Sequence, residues 1–174
     1  MISRVSGMRL PDAARVAFYH QDFAGPILGA WVQKAMRGPS AWSVSERELM
    51  AATVASWNAC PFCVGAHSAI AVRGISQAVT DAVLRDYRSA PISPRFRAAL
   101  AFIEKITLTP NDLTANDART ALAAGLNVDE LRDAAAVAAV FNIIARYANA
   151  LDFEIPSGAE FDKAAGMLLR RGYS

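Results

Sequence analysis

Groups able to carry chemistry are scarce in this 174-residue sequence, which has only two cysteines and two histidines. Charge of one sign is also scarce. Lys and Arg number 18 against 16 Asp and Glu, a net charge of +2, and the signs are interspersed. No basic stripe exists, which excludes nucleic acid as an expected partner. No apolar run is long enough to span a bilayer. The longest, Ala134 to Ala145, is closed by Asp133 and Arg146 and reads as a buried helix, so no membrane partner is expected. Met1 to Gly7 has no apolar h-region, which argues against a secretory signal and for a cytoplasmic protein. In that compartment two cysteines at CxxC spacing point to catalysis, redox sensing or metal binding rather than to a structural staple. No segment alternates as a strand, no Asn-Gly hairpin signal occurs, and no solenoid-type repeat is present. Neither a haem ligand set nor a flavin motif is evident, so no cofactor is expected.

What is present is helical. Apolar residues make up 53% of the chain and charged residues 20%, which suits one folded domain with a full-sized core. The fold class is therefore all-α, a single domain over 1–174 with its core at about 10–155 and a tail from 156 to 174. Helices are expected near 11–19, 26–36, 45–58, 61–73, 76–88, 95–107, 114–125 and 127–151, with a weaker one at 159–170 in the tail. Pro91 to Pro94 is a linker within the domain. So apolar a chain is expected to bury surface between subunits, as a homo-oligomer. His20 falls at the end of the first helix and reads as solvated. Trp31, Trp42 and Trp57 read as core or interface, with Trp57 the best placed to line a site. Asn142 and Arg146, at i and i+4, read as an interhelical hydrogen bond or ion pair.

One segment concentrates the reactive side chains. Glu48 is followed after eleven residues by Cys60, then Cys63, then His67. Cys60, Cys63 and His67 stand at i, i+3 and i+7, on one helical face. Pro61 suits the first turn of that helix. The preceding helix opens with two overlapping capping boxes, Ser43 with Glu46 and Ser45 with Glu48. A reversal at Asn58-Ala59 would make the two helices antiparallel. Glu48 and His67 then come to about the same height at roughly 1.5 Å per residue, while Glu46 points away.

A CxxC at a helix N-terminus lies beside unsatisfied N–H groups and the positive end of the dipole, both of which lower a thiol pKa. His67 is one turn from Cys63, so a base is nearer Cys63; the cap position of Cys60 reads as the more exposed. Glu48 could orient the imidazole or pass protons through a water. Two thiols allow a cycle of sulfenic acid and disulfide. Other readings remain. Zinc could take Cys60, Cys63 and His67 with Glu48 as fourth ligand, although structural zinc usually draws on two separated knuckles. A structural disulfide across so tight a loop would add little stability. The cysteines could also be ordinary buried hydrophobes.

Glu-x11-Cys-x2-Cys-x3-His on two consecutive helices resembles the AhpD-like alkylhydroperoxidases, within the carboxymuconolactone decarboxylase superfamily. The resemblance covers roughly residues 10 to 155. Pro94 to Lys105 and Phe141 to Leu151 also resemble later helices of its peroxidase-related members. It implies an all-α oligomer (dimer, trimer or hexamer), a hydroperoxide substrate and an external dithiol reductant of lipoyl or thioredoxin type. It further implies Cys63 as peroxide nucleophile, Cys60 as resolving thiol, and Glu48 with His67 as a proton relay, with neither cofactor nor metal. The best-studied AhpD type has a histidine between its cysteines, where this chain has Pro61-Phe62. Two alternatives are a carboxymuconolactone decarboxylase-like enzyme and a non-catalytic redox- or metal-responsive binding protein.

Overall fold

A computed structural model describes residues 12–19 and 25–173, and within them the chain is helical with no strand. His20 lies outside the described residues. Nine α-helices occur there in the order α1 Asp12–Tyr19, α2 Gly25–Arg37, α3 Val44–Trp57, α4 Pro61–Ala71, α5 Gln77–Asp86, α6 Pro94–Leu108, α7 Ala115–Ala123, α8 Val128–Ala150 and α9 Gly158–Arg171. A single 3-10 turn, Pro110–Asp112, joins α6 to α7. The all-α expectation holds.

Local chemistry explains most boundaries. Ser43 and Glu46 close a reciprocal capping box at α3, with Ser43 Oγ accepting from the Glu46 amide at 3.2 Å and Glu46 Oε2 from the Ser43 amide at 2.8 Å. Of the two overlapping boxes in the sequence this one forms, which frees Glu48 to face inward. Asn127 with Glu130 opens α8 the same way, and Ser157 with Glu160 opens α9. Pro61 and Pro94 sit at the first turns of α4 and α6, where a missing N–H is harmless.

The core lies where α8 crosses α2, α3 and α6. Met36, Leu49, Met50, Val54, Leu100 and Phe141 are all buried there, each contributing about 1.5–3 kcal/mol relative to exposure. Trp42 is buried on Phe96 with its indole N–H on the Glu130 carbonyl at 2.8 Å. Trp57 differs from expectation. It packs edge-on against Tyr87 at 6.0 Å, as part of the main core, away from the thiols.

α3 and α4 form an antiparallel hairpin of helices. Their far ends meet where Gly74 approaches the Ser45 side chain. At the near end the chain reverses through Asn58 and Ala59, the latter at φ 51°. Such a left-handed alanine is strained by roughly 1 kcal/mol. Asn142 of α8 holds the turn: its Oδ1 accepts from Asn58 Nδ2 at 3.0 Å and its Nδ2 donates to Thr107 Oγ1 at 3.0 Å. Arg146 donates to the Asn142 side-chain oxygen at 2.8 Å, and Asn149 to the Asn58 carbonyl at 2.9 Å. The Asn142–Arg146 pair is therefore part of a clasp on the turn that presents Cys60.

Candidate active site

Cys60 is the N-cap residue of α4 and Cys63 lies in its first turn. Both are free thiols and each is only 1% exposed. The cap position of Cys60 is thus no more open than that of Cys63, contrary to expectation. Phe62, Phe153, Ala145 and Ala148 wall them in. Phe62 is itself covered, edge-on to Phe153 at 5.3 Å and to Phe161 of α9 at 6.2 Å.

The two thiols share a proton. Cys60 is lowered from 9.0 to about 6, first because the Cys63 thiol donates toward it, against the opposing effect of burial. The backbone N–H groups of Cys63 and Phe62 and the nearby His67 add to this electrostatically, though Cys60 makes no regular capping hydrogen bond. Cys63 is pushed far up by the same hydrogen bond and by burial. The helix N-terminus thus favours negative charge on Cys60.

About one turn beyond Cys63 along α4, His67 faces α3. Its Nδ1 lies 2.6 Å from Glu48 Oε2, and its ring stands edge-on to Phe141 at 4.4 Å. The helix hairpin therefore joins Glu48 and His67 at matching heights, as the spacing requires. With Nδ1 turned to a carboxylate, Nε2 is the ring nitrogen available as a base. No hydrogen bond among the described residues joins His67 to either thiol; its influence on Cys60 is through space.

Glu48 is completely buried, which alone would hold its carboxyl un-ionised. That burial is the largest influence and raises its pKa. The His67 hydrogen bond and charge, together with Arg37, outweigh it and leave the pKa lowered. Arg37 Nη1 lies 2.7 Å from Glu48 Oε1. The Tyr173 hydroxyl donates to the same oxygen at 2.8 Å and lies 3.1 Å from the other. Arg37 stacks over the Tyr173 ring at 4.8 Å. A buried carboxylate is thus held by an imidazole, a guanidinium and a phenol.

Arg37 and Tyr173 had no part in the sequence-level site. Arg37 lies in Arg37-Gly38-Pro39-Ser40, which reads as a helix stop. Tyr173 lies in the tail, beyond the segment that the resemblance covers. A Ser157-x-x-Glu160 capping box and Gly172 just past the helix end mark α9 as a well-formed helix, but no local pattern pairs a residue at 173 with one at 48. Among the described residues, no group of three or more His, Cys, Asp or Glu side chains is arranged to hold a metal ion. Glu48 is turned to His67, Arg37 and Tyr173, and His67 to Glu48, so the tetrahedral set considered for zinc does not form.

An all-α bundle with a dithiol at a helix N-terminus and a carboxylate–imidazole pair on the adjoining helix hairpin defines the class. Residues 28–105 match the carboxymuconolactone decarboxylase family. With the fold, this match supports a place in the AhpD-like carboxymuconolactone decarboxylase superfamily. The fold is similar to the alkylhydroperoxidase AhpD core of a peroxidase-related protein from Ralstonia eutropha JMP134, at TM-score 0.78 and 25% identity, covering 92% of this chain and 83% of that one. It is similar also to a peroxidase-related protein from Silicibacter sp. TM1040, at TM-score 0.72 and 26% identity, covering 89% and 90%. The debrominase Bmp8 shares the fold at TM-score 0.72 and 19% identity, covering 90% and 83%. No curated protein matches the chain.

Proposed function

We propose that the protein is a thiol-dependent peroxidase that reduces hydrogen peroxide or organic hydroperoxides by a Cys60/Cys63 dithiol–disulfide cycle. The observation that carries this reading is two free, buried thiols at a helix N-terminus, beside a His67–Glu48 pair at 2.6 Å. The peroxidase-related names of two similar structures support it. Bmp8 marks the fold as compatible with other chemistry.

In the cycle a thiolate attacks the peroxide O–O bond. The sulfur becomes a sulfenic acid, and the departing alkoxide or hydroxide takes a proton delivered through His67. The second thiol attacks the sulfenic sulfur, giving a disulfide and releasing water. An external dithiol of lipoyl or thioredoxin type reduces the disulfide and is itself oxidised. Glu48 holds the imidazole by Nδ1 and stabilises it when it carries the proton.

The family resemblance and the one-turn distance to His67 support Cys63 as the first nucleophile. The lowered pKa of Cys60 favours the opposite order, and one proton passed between the sulfurs interconverts the two thiolates. Substitution separates them. With Cys63 first, Cys63→Ser consumes no peroxide and Cys60→Ser reacts once, stopping at a sulfenic acid trapped by a dimedone-type probe. With Cys60 first, the two results exchange. The overall reading is tested by adding hydroperoxide to reduced protein: loss of two thiols per chain, restored by a dithiol, is the expected outcome. No loss at millimolar peroxide would overturn it, and turnover of a lactone acid instead would favour the decarboxylase alternative.

A further inference from the structure

The Glu48–His67 pair is finished from the far end of the chain. α9 lies along α4, and Gly65 is what lets it lie so close: a Cβ there would come 2.5 Å from the Phe161 ring. After α9 the backbone turns through Gly172 at φ 74°, a conformation suited to glycine, where a Cβ would come 2.4 Å from the Gln33 side-chain oxygen. That oxygen accepts from the Tyr173 amide at 2.7 Å. The backbone of Tyr173 is thereby pinned to α2, and its ring passes between Arg37 and His67, 4.8 Å below the guanidinium and 6.2 Å from the imidazole in a stacked arrangement. The phenol ends on Glu48 at 2.8 Å and lies 3.3 Å from His67 Nδ1.

We propose that Tyr173 is a positioning residue of the relay, which it serves by fixing the Glu48 carboxylate on His67 Nδ1, and that docking of the segment after α9 completes the site. This rests on the peroxidase reading for its role in turnover, although the positioning itself stands on the geometry. The chemistry fits. A carboxylate has two oxygens, and Arg37 with Tyr173 engages Oε1 so that Oε2 is held toward the imidazole. The phenol is a neutral donor here: burial and the neighbouring carboxylate both push its pKa well above 10.0. It therefore orients Glu48 without competing as an anion for the His67 proton.

The test is Tyr173→Phe, which keeps the ring over Arg37 and removes only the hydroxyl. With one donor fewer, Glu48 is a stronger base, so the acid limb of the peroxide pH–rate profile moves up by about one pH unit. Maximal turnover should fall about tenfold while the affinity for reductant stays the same. The His67 ring-nitrogen NMR signals should show the same titration shift in the absence of any substrate. Gln33→Leu, which frees the Tyr173 amide but leaves the phenol, should move both readouts in the same direction and less far. Equal melting temperatures with shifted profiles support positioning. Unchanged pH profiles and unchanged His67 signals in Tyr173→Phe overturn it, whatever happens to stability. If wild-type protein consumes no peroxide yet the His67 titration moves in the variant, the peroxidase reading fails and the positioning role survives.

Discussion

Cys60 and Cys63 behave as one diprotic group, and that has a measurable sign. Cys60 titrates at about 6 in the fold against 9.0 unfolded, and Cys63 far above its ordinary range. Between pH 6 and 9 the unfolded chain holds two thiol protons and the folded chain one. Stability of the reduced protein should therefore rise with pH across that window. Above 9 the unfolded chain has lost both protons while the folded chain keeps one, so the trend reverses. Urea midpoints of reduced wild type against a Cys60→Ser, Cys63→Ser double variant read this directly, and the thiolate ultraviolet absorbance should show its first step near pH 6. Parallel urea curves would mean that the shared proton is absent. At the reversal, Ala59 is strained, so Ala59→Gly should leave stability unchanged or raise it by up to about 1 kcal/mol. Ala59→Val should lower it by more than that, in the same denaturant titration.

At the scale of elements, α9 is held to α4 by two unequal means. The Arg73–Asp162 ion pair at 2.8 Å is solvent-exposed and is worth about 0–1 kcal/mol. The Phe161 contact on Gly65 and Phe62 is apolar and close. Asp162→Ala should therefore change stability little. Gly65→Leu should undock α9, seen as new proteolytic cleavage between about residues 155 and 172 and loss of amide protection there. If Gly65→Leu leaves α9 protected, helix α4 must have moved to accept it. α3 differs in kind. Nine consecutive residues from Arg47 to Ala55 are buried, so it is covered on every side rather than along a stripe. Arg47 is accommodated by donating to the carbonyls of Gly38 at 2.8 Å and Ala35 at 3.2 Å. This burial is what keeps water from Glu48.

For the whole molecule, the buried Glu48 cluster links stability to acid. The Glu48 pKa is lowered from 4.5, so its contribution is present above that value and is lost as pH falls through the folded-state pKa. Glu48→Gln leaves the largely covered Arg37 without its counter-charge and should destabilise by about 3 kcal/mol at neutral pH. The variant should also unfold over a less steep acid limb than wild type, measured by far-ultraviolet dichroism against pH. An equal limb would place the acid sensitivity elsewhere. No described helix is long and apolar enough to cross a membrane. Ile27 is 78% exposed and Trp31 40%, both on α2. Self-association, expected from the composition and the resemblance, is checked by sedimentation of the full chain, where a single monomer species would refute it.

Local rules made much of this protein legible in one dimension. Capping boxes at Ser43 and Asn127, prolines at 61 and 94 and helical apolar periodicity act over three or four residues, so the helices, their order and the all-α class can be read from the chain. The face shared by Cys60, Cys63 and His67 follows from helical geometry, and the height of Glu48 from counting back through one reversal. Three things depended on tertiary structure. Trp57 went to Tyr87 because a half-buried indole takes whichever apolar surface the packing offers. The Cys60 thiol is lowered chiefly because the Cys63 thiol donates toward it, with amide N–H groups and His67 adding, and spacing does not encode those orientations. Glu48 gained Arg37 and Tyr173 because a fully buried carboxylate must recruit donors from wherever the fold brings them, here from 11 residues upstream and 125 downstream.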